Sequence, residues 1–116
     1  MDKKLDLKRL ISQVDKESTK RQVFVQLLKD FNRAGVSLGV DEKSSTEQWV
    51  YELITVLNDL NKNNSTQLEQ LLYLIDLPQE YYTKTQELQN EEFGIFFAQL
   101  LLMRTLKKIA FRNQYS

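Results

Sequence analysis

The stretch that decides the fold is EEFGIFFAQLLLMRTLKKIAFRNQYS, residues 91–116. Its apolar side chains recur every three or four residues, which predicts an α-helix from Glu91 to about Asn113. Acidic residues open this helix and basic residues close it, the order that the helix dipole favours. At 100° per residue one apolar stripe runs almost its whole length and a second, roughly opposite, covers only the first half. The stripes are Ile95, Leu102, Leu106 and Ile109, and Phe93, Phe96, Phe97 and Leu100.

The second half of the predicted helix changes character on the phenylalanine side. Basic side chains continue that side, with one aromatic side chain among them. We expect the helix to be buried on both sides at its start and on one side towards its end. The side chains that replace the second stripe, here called the basic ridge, are Arg104, Lys107, Lys108, Phe111 and Arg112.

Four earlier helices are predicted upstream, each with apolar residues on one face. Ser/Thr-x-x-Gln/Glu pairs, the signature of a capping box, open three of them. The pairs are Thr19 with Gln22, Ser45 with Gln48, and Thr66 with Glu69. A further, weaker helix is predicted after Pro78, which suits a first helical turn. The expected helices are Lys4 to Val14, a second from Thr19 that ends just before Gly35, Ser45 to about Leu60, and Thr66 to about Asp76. Gly35 suits the C′ position that follows a helix end.

The predicted fold is all-α: a single-domain bundle over residues 1–116 with five or six helices and the long C-terminal helix in its core. A chain of 116 residues is long enough to bury a self-sufficient core. With 3 Gly and 1 Pro, it has few of the turn residues that an all-β fold needs. Loop residues 36–44 alternate apolar and polar side chains at their start, so a short extended piece is also considered there.

Composition argues against several kinds of chemistry. The chain has no cysteine and no histidine, so thiolate chemistry, disulfides and the commonest general base and metal ligand are excluded. No cofactor and no metal site are expected. The apolar run from Phe93 to Met103 spans only about 16 Å as a helix, about half of a bilayer core. No secretory signal is recognisable, and we expect a cytoplasmic protein without a membrane-spanning segment.

Catalysis would have to use Asp, Glu, Lys, Tyr or Ser side chains, and an enzyme that works through carboxylates and tyrosines is the third interpretation considered. The nearest group in sequence is Glu80, Tyr81, Tyr82 and Glu87, residue types that act as acid or base once a pocket shifts their pKa. Glycine spacing excludes a phosphate-binding loop. Without histidine, a carboxylate-bridged di-metal bundle lacks its usual ligands. We therefore expect a protein that is not an enzyme.

Charge is uneven although 16 basic and 16 acidic residues cancel. Residues 101–116 carry four basic and no acidic side chains. A ridge of this kind is typical of plain solvated surface, and it also suits docking of an acidic partner. The first functional interpretation is a non-enzymatic protein-interaction or regulatory module that binds a protein partner or a second copy. The alternative is a nucleic-acid-associated protein, which the sequence pI of about 6.3 makes a poorer fit.

Part of the second half of the chain resembles a known group. The residues are Leu72-Tyr73-Leu74-Ile75-Asp76, then Leu100-Leu101-Leu102-Met103-Arg104 and Lys107-Lys108-Ile109. They are similar to small, uncharacterised bacterial helical proteins with a Leu-Tyr-x-Ile-Asp turn before a final helix ended by Arg and Lys. The resemblance implies a helical fold, and since that group has no assigned activity it implies no functional residue.

Overall fold

The computed structural model describes residues 3–75 and 91–115, which form five α-helices and contain no strand. The all-α class and the long C-terminal helix are thus confirmed. The helix predicted after Pro78 lies outside the described residues, and so do Glu80, Tyr81, Tyr82 and Glu87. The sixth helix and the single-domain assignment stay predictions. The helices are α1 (Lys3–Val14), α2 (Glu17–Arg33), α3 (Thr46–Asn63), α4 (Ser65–Leu74) and α5 (Glu91–Tyr115).

Helix α5 lies at the centre of the described bundle. It packs against α1, α2 and α3, most extensively against α3. Trp49 of α3 is fully buried and stacks on Phe24 of α2 with ring centroids 4.1 Å apart. Its indole Nε1–H donates to the backbone oxygen of Asp41 at 3.0 Å, which satisfies the one polar group of this side chain. Trp49 is therefore a core residue.

The start of α3 is the capping box that the sequence predicts. The Gln48 backbone N–H donates to the Ser45 hydroxyl at 3.1 Å, and the Ser45 N–H donates to the Gln48 side-chain oxygen at 2.8 Å. These reciprocal bonds satisfy two of the backbone donors that a helix start leaves unpaired.

The other two predicted capping boxes are wrong. Helix α2 begins at Glu17 after Lys16, which makes no side-chain cap bond. The Thr19 N–H donates to the Lys16 backbone oxygen at 3.0 Å, so Thr19 already lies inside the first turn. The Gln22 side-chain oxygen instead accepts from Asn113 of α5 at 3.1 Å. Contact with α5 therefore takes the side chain that the capping box would have used.

Helix α4 begins one residue earlier than predicted because Asn64, not Thr66, caps it. The Gln67 N–H donates to Asn64 Oδ1 at 3.2 Å. The Asn64 backbone N–H donates to Leu60 at 2.9 Å, so the same residue also closes α3. Gln67 then donates its amide to the backbone oxygen of Gly35 at 2.8 Å. The end of α2 and the α3–α4 junction are thereby joined.

The end of α2 follows the predicted glycine stop. Gly35 has φ = 77°, a left-handed conformation that costs glycine no Cβ clash. Its N–H donates to Asn32 at 3.0 Å and the Val36 N–H donates to Phe31 at 2.8 Å, the two bonds of a Schellman motif. Val36 is buried directly after this turn. The extended piece considered for residues 36–44 is not a strand, since this part of the loop pairs with no neighbouring strand.

Candidate partner-binding surface

The two halves of α5 differ in burial as the sequence predicts. Between residues 93 and 102 every side chain is buried or half-buried. Beyond residue 102 only Thr105 and Ile109 are buried, Leu106 is half-buried, and the other side chains described as far as residue 114 are exposed. The helix therefore enters the bundle surrounded by neighbours and leaves it with one face against solvent.

The buried face of α5 is not quite the predicted stripe. Leu102 and Ile109 are buried as expected, but Ile95 and Leu106 are only half-buried. The apolar pattern missed the small and polar side chains that complete this face, because their types carry little hydrophobic signal. It also missed one leucine that belongs to neither stripe. The buried positions missed are Gly94, Ala98, Gln99, Leu101 and Thr105.

Gly94 lets α5 approach α3 closely. A Cβ at this position would lie 2.6 Å from the Ile54 backbone oxygen and 2.7 Å from Asn58 Cγ. The Gly94 N–H donates to Asn58 Oδ1 at 2.8 Å. Backbone contact of this kind needs a residue without a side chain, so the buried half of α5 is seated on α3 at this point.

Both arginines of the basic ridge are anchored to the bundle. Arg104 donates from Nε to the Ile75 backbone oxygen, at the end of α4, at 2.6 Å. Arg112 donates from Nη2 to the Gln26 side-chain oxygen at 3.0 Å. Both acceptors are uncharged oxygens, so these two bonds orient the guanidinium groups and do not themselves neutralise their charge.

Beneath Arg112 lies a buried polar pair that sequence reasoning missed. Gln26 and Asp30 of α2 are both buried, and the Gln26 amide donates to Asp30 Oδ1 at 3.0 Å. The two residues are four apart, which places them on one helical face. The four-residue spacing could have indicated the Gln26–Asp30 pair from the sequence. The contact with α5 could not be predicted in this way, because Arg112 lies 86 residues from Gln26. Arg112, Gln26 and Asp30 are thus joined by two hydrogen bonds, from the exposed arginine to two buried polar side chains.

The remaining members of the basic ridge point outward. Lys107 and Lys108 are exposed, and neither is joined by a hydrogen bond or ion pair to another residue in the described ranges. The Phe111 ring is 65% exposed. The structure thus places an aromatic ring and two lysines together on the outer face of α5, between two oriented arginines.

A groove runs beside the basic ridge, between α1 and α5. It has a volume of about 380 Å³. Its apolar lining comes from both helices, and Lys107 belongs to both the groove and the ridge. The residues that line it are Arg9, Leu10, Gln13, Gln99, Met103, Leu106 and Lys107.

A second, smaller groove of about 220 Å³ lies on α2. Arg21 and Lys20 contribute positive charge there, but Glu42 contributes a carboxylate. The α1–α5 groove has no acidic residue in its lining. Both linings are therefore positive overall, and the α1–α5 groove, which has no carboxylate, is the more positive of the two.

Other kinds of site receive no support from the described residues. Over residues 3–75 and 91–115, no three acidic side chains come together in a way that could hold a metal ion. In the same ranges no helix is both long and apolar enough to cross a membrane. The tyrosine and glutamate group proposed from the sequence lies outside these ranges.

Comparison of the chain with known protein families, curated proteins and solved structures gave no match. The resemblance to small bacterial helical proteins therefore stays a prediction. Any functional argument depends on the geometry of the chain itself.

Proposed function

We propose that this protein is a non-enzymatic, cytoplasmic interaction or regulatory module that docks a protein partner on the basic ridge of α5. The observation that carries the proposal is the exposure of Phe111 between cationic side chains. A ring that is 65% exposed gives up its contact with water when a partner covers it, and aromatic and arginine side chains are enriched at binding hot spots.

Charge supports an acidic partner. The ridge holds four of the chain's basic residues, and residues 101–116 contain no carboxylate side chain to offset them. Opposite charge on the partner would speed association and select against basic competitors. Anchoring of Arg104 and Arg112 also lowers the conformational entropy that binding must remove.

A crosslinking experiment in cells tests the proposal. The photoreactive amino acid p-benzoylphenylalanine replaces Phe111 in one variant and Tyr73 in the control. Tyr73 is 85% exposed on α4, outside the ridge. We expect a discrete protein adduct from position 111 that the control does not form and that Lys107→Ala with Lys108→Ala removes. An adduct that persists in this double variant, or the absence of any protein adduct, would contradict the proposal.

Nucleic-acid association is the second candidate function, because the same four cations could pair with phosphates. It predicts that the affinity falls steeply with salt, by roughly one power of the salt concentration for each phosphate neutralised. Binding to a fluorescent RNA or DNA oligonucleotide, measured across salt concentrations, checks this. Absent binding, or binding that salt does not weaken, would remove the nucleic-acid alternative.

A further inference from the structure

We propose that the groove between α1 and α5 binds an acidic amphipathic helix of a partner protein. This inference depends on the proposed function and deepens it, since it names the binding mode and the chemistry of the partner. The groove and the basic ridge share Lys107, so one partner can occupy both.

The floor of the groove favours an apolar stripe. Leu10 of α1 and Met103 and Leu106 of α5 line it, and Met103 keeps 43% of its surface exposed. Methionine side chains adapt to different apolar surfaces, which is why they are common at helix-binding sites. The α5 side of the groove extends from Gln99 to Lys107, about 12 Å at 1.5 Å per residue, or two helical turns. A helix binds such a groove with apolar residues at i, i+3, i+4 and i+7.

The rims of the groove favour negative charge on both flanks of that stripe. On a helical wheel Arg9 lies about 100° from Leu10, and Lys107 lies about 100° from Leu106. Both cations are exposed, while Leu10 is buried and Leu106 is half-buried, so the two charges border the apolar floor on different helices. A helix with carboxylates on both flanks pairs with both cations. A ligand with a single anionic group has only one charge to share between them.

The polar lining is compatible with this occupant. Gln13 is exposed and adds an amide group to the groove, and an amide can either donate to a carboxylate or accept from a partner's polar side chain. No described lining residue carries a negative charge that would repel an acidic helix. Among the described cavities, the groove on α2 lacks this property because Glu42 lines it.

The test uses the intact protein and a synthetic helical peptide of about 18 residues, long enough to form a helix in water. The peptide carries leucine at i, i+3, i+4 and i+7, glutamate on both flanks of that stripe, and alanine and glutamine elsewhere. The matched peptide carries lysine in place of glutamate. Fluorescence anisotropy gives the two affinities. We expect the acidic peptide to bind at least about tenfold more tightly than the basic one.

Three charge reversals locate the binding site. Arg9→Glu changes the groove alone, Lys108→Glu changes the ridge alone, and Arg21→Glu changes the groove on α2. All three side chains are exposed, and a circular-dichroism melt confirms that each variant folds. We expect Arg9→Glu to weaken the acidic peptide at least about tenfold and the other two to change its affinity by less than about threefold.

Each other outcome overturns the inference. Equal binding of the two peptides, or an unchanged affinity in Arg9→Glu, means that the groove does not recognise an acidic helix. If Lys108→Glu weakens binding and Arg9→Glu does not, the ridge alone binds, so the groove fails while the proposed function stands. Decanoate serves as a third ligand because it is a small amphipathic acid. If decanoate binds, if this binding depends on Arg9, and if the acidic peptide does not bind, the occupant is a small amphipathic acid and not a helix. Absence of any protein adduct from position 111 in cells, by contrast, would remove the proposed function itself.

Discussion

The two halves of α5 have the same secondary structure but different environments: the first is packed in the core and the second exposes one face to solvent. Between residues 93 and 102 the helix is enclosed by its neighbours, and Phe93 and Phe97 pack with ring centroids 4.9 Å apart. From residue 103 onward the same helix keeps one apolar face on the bundle and turns cations and an aromatic ring outward. One continuous helix therefore holds a surface rigidly in place by anchoring its other end in the core.

The comparison shows that the residue type alone does not determine whether a phenylalanine of this chain is buried. Phe97 is fully buried and Phe111 is 65% exposed, although both lie on the same helix. Burial is decided by whether α1, α2 or α3 covers that position. Substitutions at matched positions in the two halves should therefore give different losses of stability.

Truncation of the two phenylalanines should separate the halves most strongly. Phe97→Ala leaves a cavity in the core and should lower the free energy of unfolding by about 3–5 kcal/mol. Phe111→Ala should change it by less than about 0.5 kcal/mol, as for most surface substitutions. Urea denaturation followed by circular dichroism measures both. Similar losses for the two variants would show that the second half of α5 is structural throughout.

Gly94→Ala probes the contact of the buried half with α3. The added Cβ meets the Ile54 backbone oxygen, which cannot move without shifting the helix, so we expect a loss of about 1–3 kcal/mol. The control is Gly39→Ala. A Cβ added at Gly39 would lie 2.8 Å from Glu52 Oε2, at the end of that side chain. That flexible side chain can move aside. Thermal melts of the two variants compare them, and an equally large loss for Gly39→Ala would contradict this account.

The hydrogen bonds that anchor the basic ridge should contribute less to the free energy of unfolding than the core contacts do. Arg112→Ala removes the donor to the buried Gln26 and should cost about 1–2 kcal/mol, the lower part of the range of about 1–3 kcal/mol for leaving a buried acceptor unpaired. Arg21→Ala is the matched control, since Arg21 is exposed on α2 and donates to no described side chain. Its effect should be less than about 0.5 kcal/mol. The difference between the two urea midpoints is the measurement, and a loss as large for Arg21→Ala would reject the anchoring role.

The smallest predicted change in stability is a gain, whereas the substitutions above all cause a loss. Lys108 lies four residues from Arg104 and four from Arg112, spacings at which like charges on a helix repel. Lys108→Gln should therefore stabilise the protein by about 0.2–0.5 kcal/mol at low salt. The gain should shrink as salt screens the charges. A destabilised Lys108→Gln variant would show that Lys108 has a structural role that its exposure does not indicate.

The sequence predicted the parts of the fold that depend on local signals. Apolar periodicity located α5 and its two-sided start, the Ser45 box located the start of α3, and Gly35 located the end of α2. The ridge was also predicted as an exposed surface, since lysines and arginines at helical spacing rarely lie in a core. These features need no knowledge of which helices are neighbours.

The parts that failed depend on contacts distant in sequence. Thr19 and Gln22 match the sequence pattern of a capping box, but the Gln22 side chain accepts a hydrogen bond from Asn113 instead. The box at Thr66 fails because Asn64 can close one helix and open the next. The link from Arg112 to Gln26 and the groove between α1 and α5 require residues far apart in the chain. No pattern within one helix specifies them.

The double role of Asn64 makes the chain intolerant of length changes at this point. No spare residue separates α3 from α4, so one inserted residue cannot be absorbed in a loop. It would turn α4 by about 100° about its axis and rotate Leu68, Leu71 and Leu72 away from the core that they line. Families of proteins usually vary in length at their connections. In descendants of this chain we expect insertions to collect in residues 36–44 and the α3–α4 junction to keep its length.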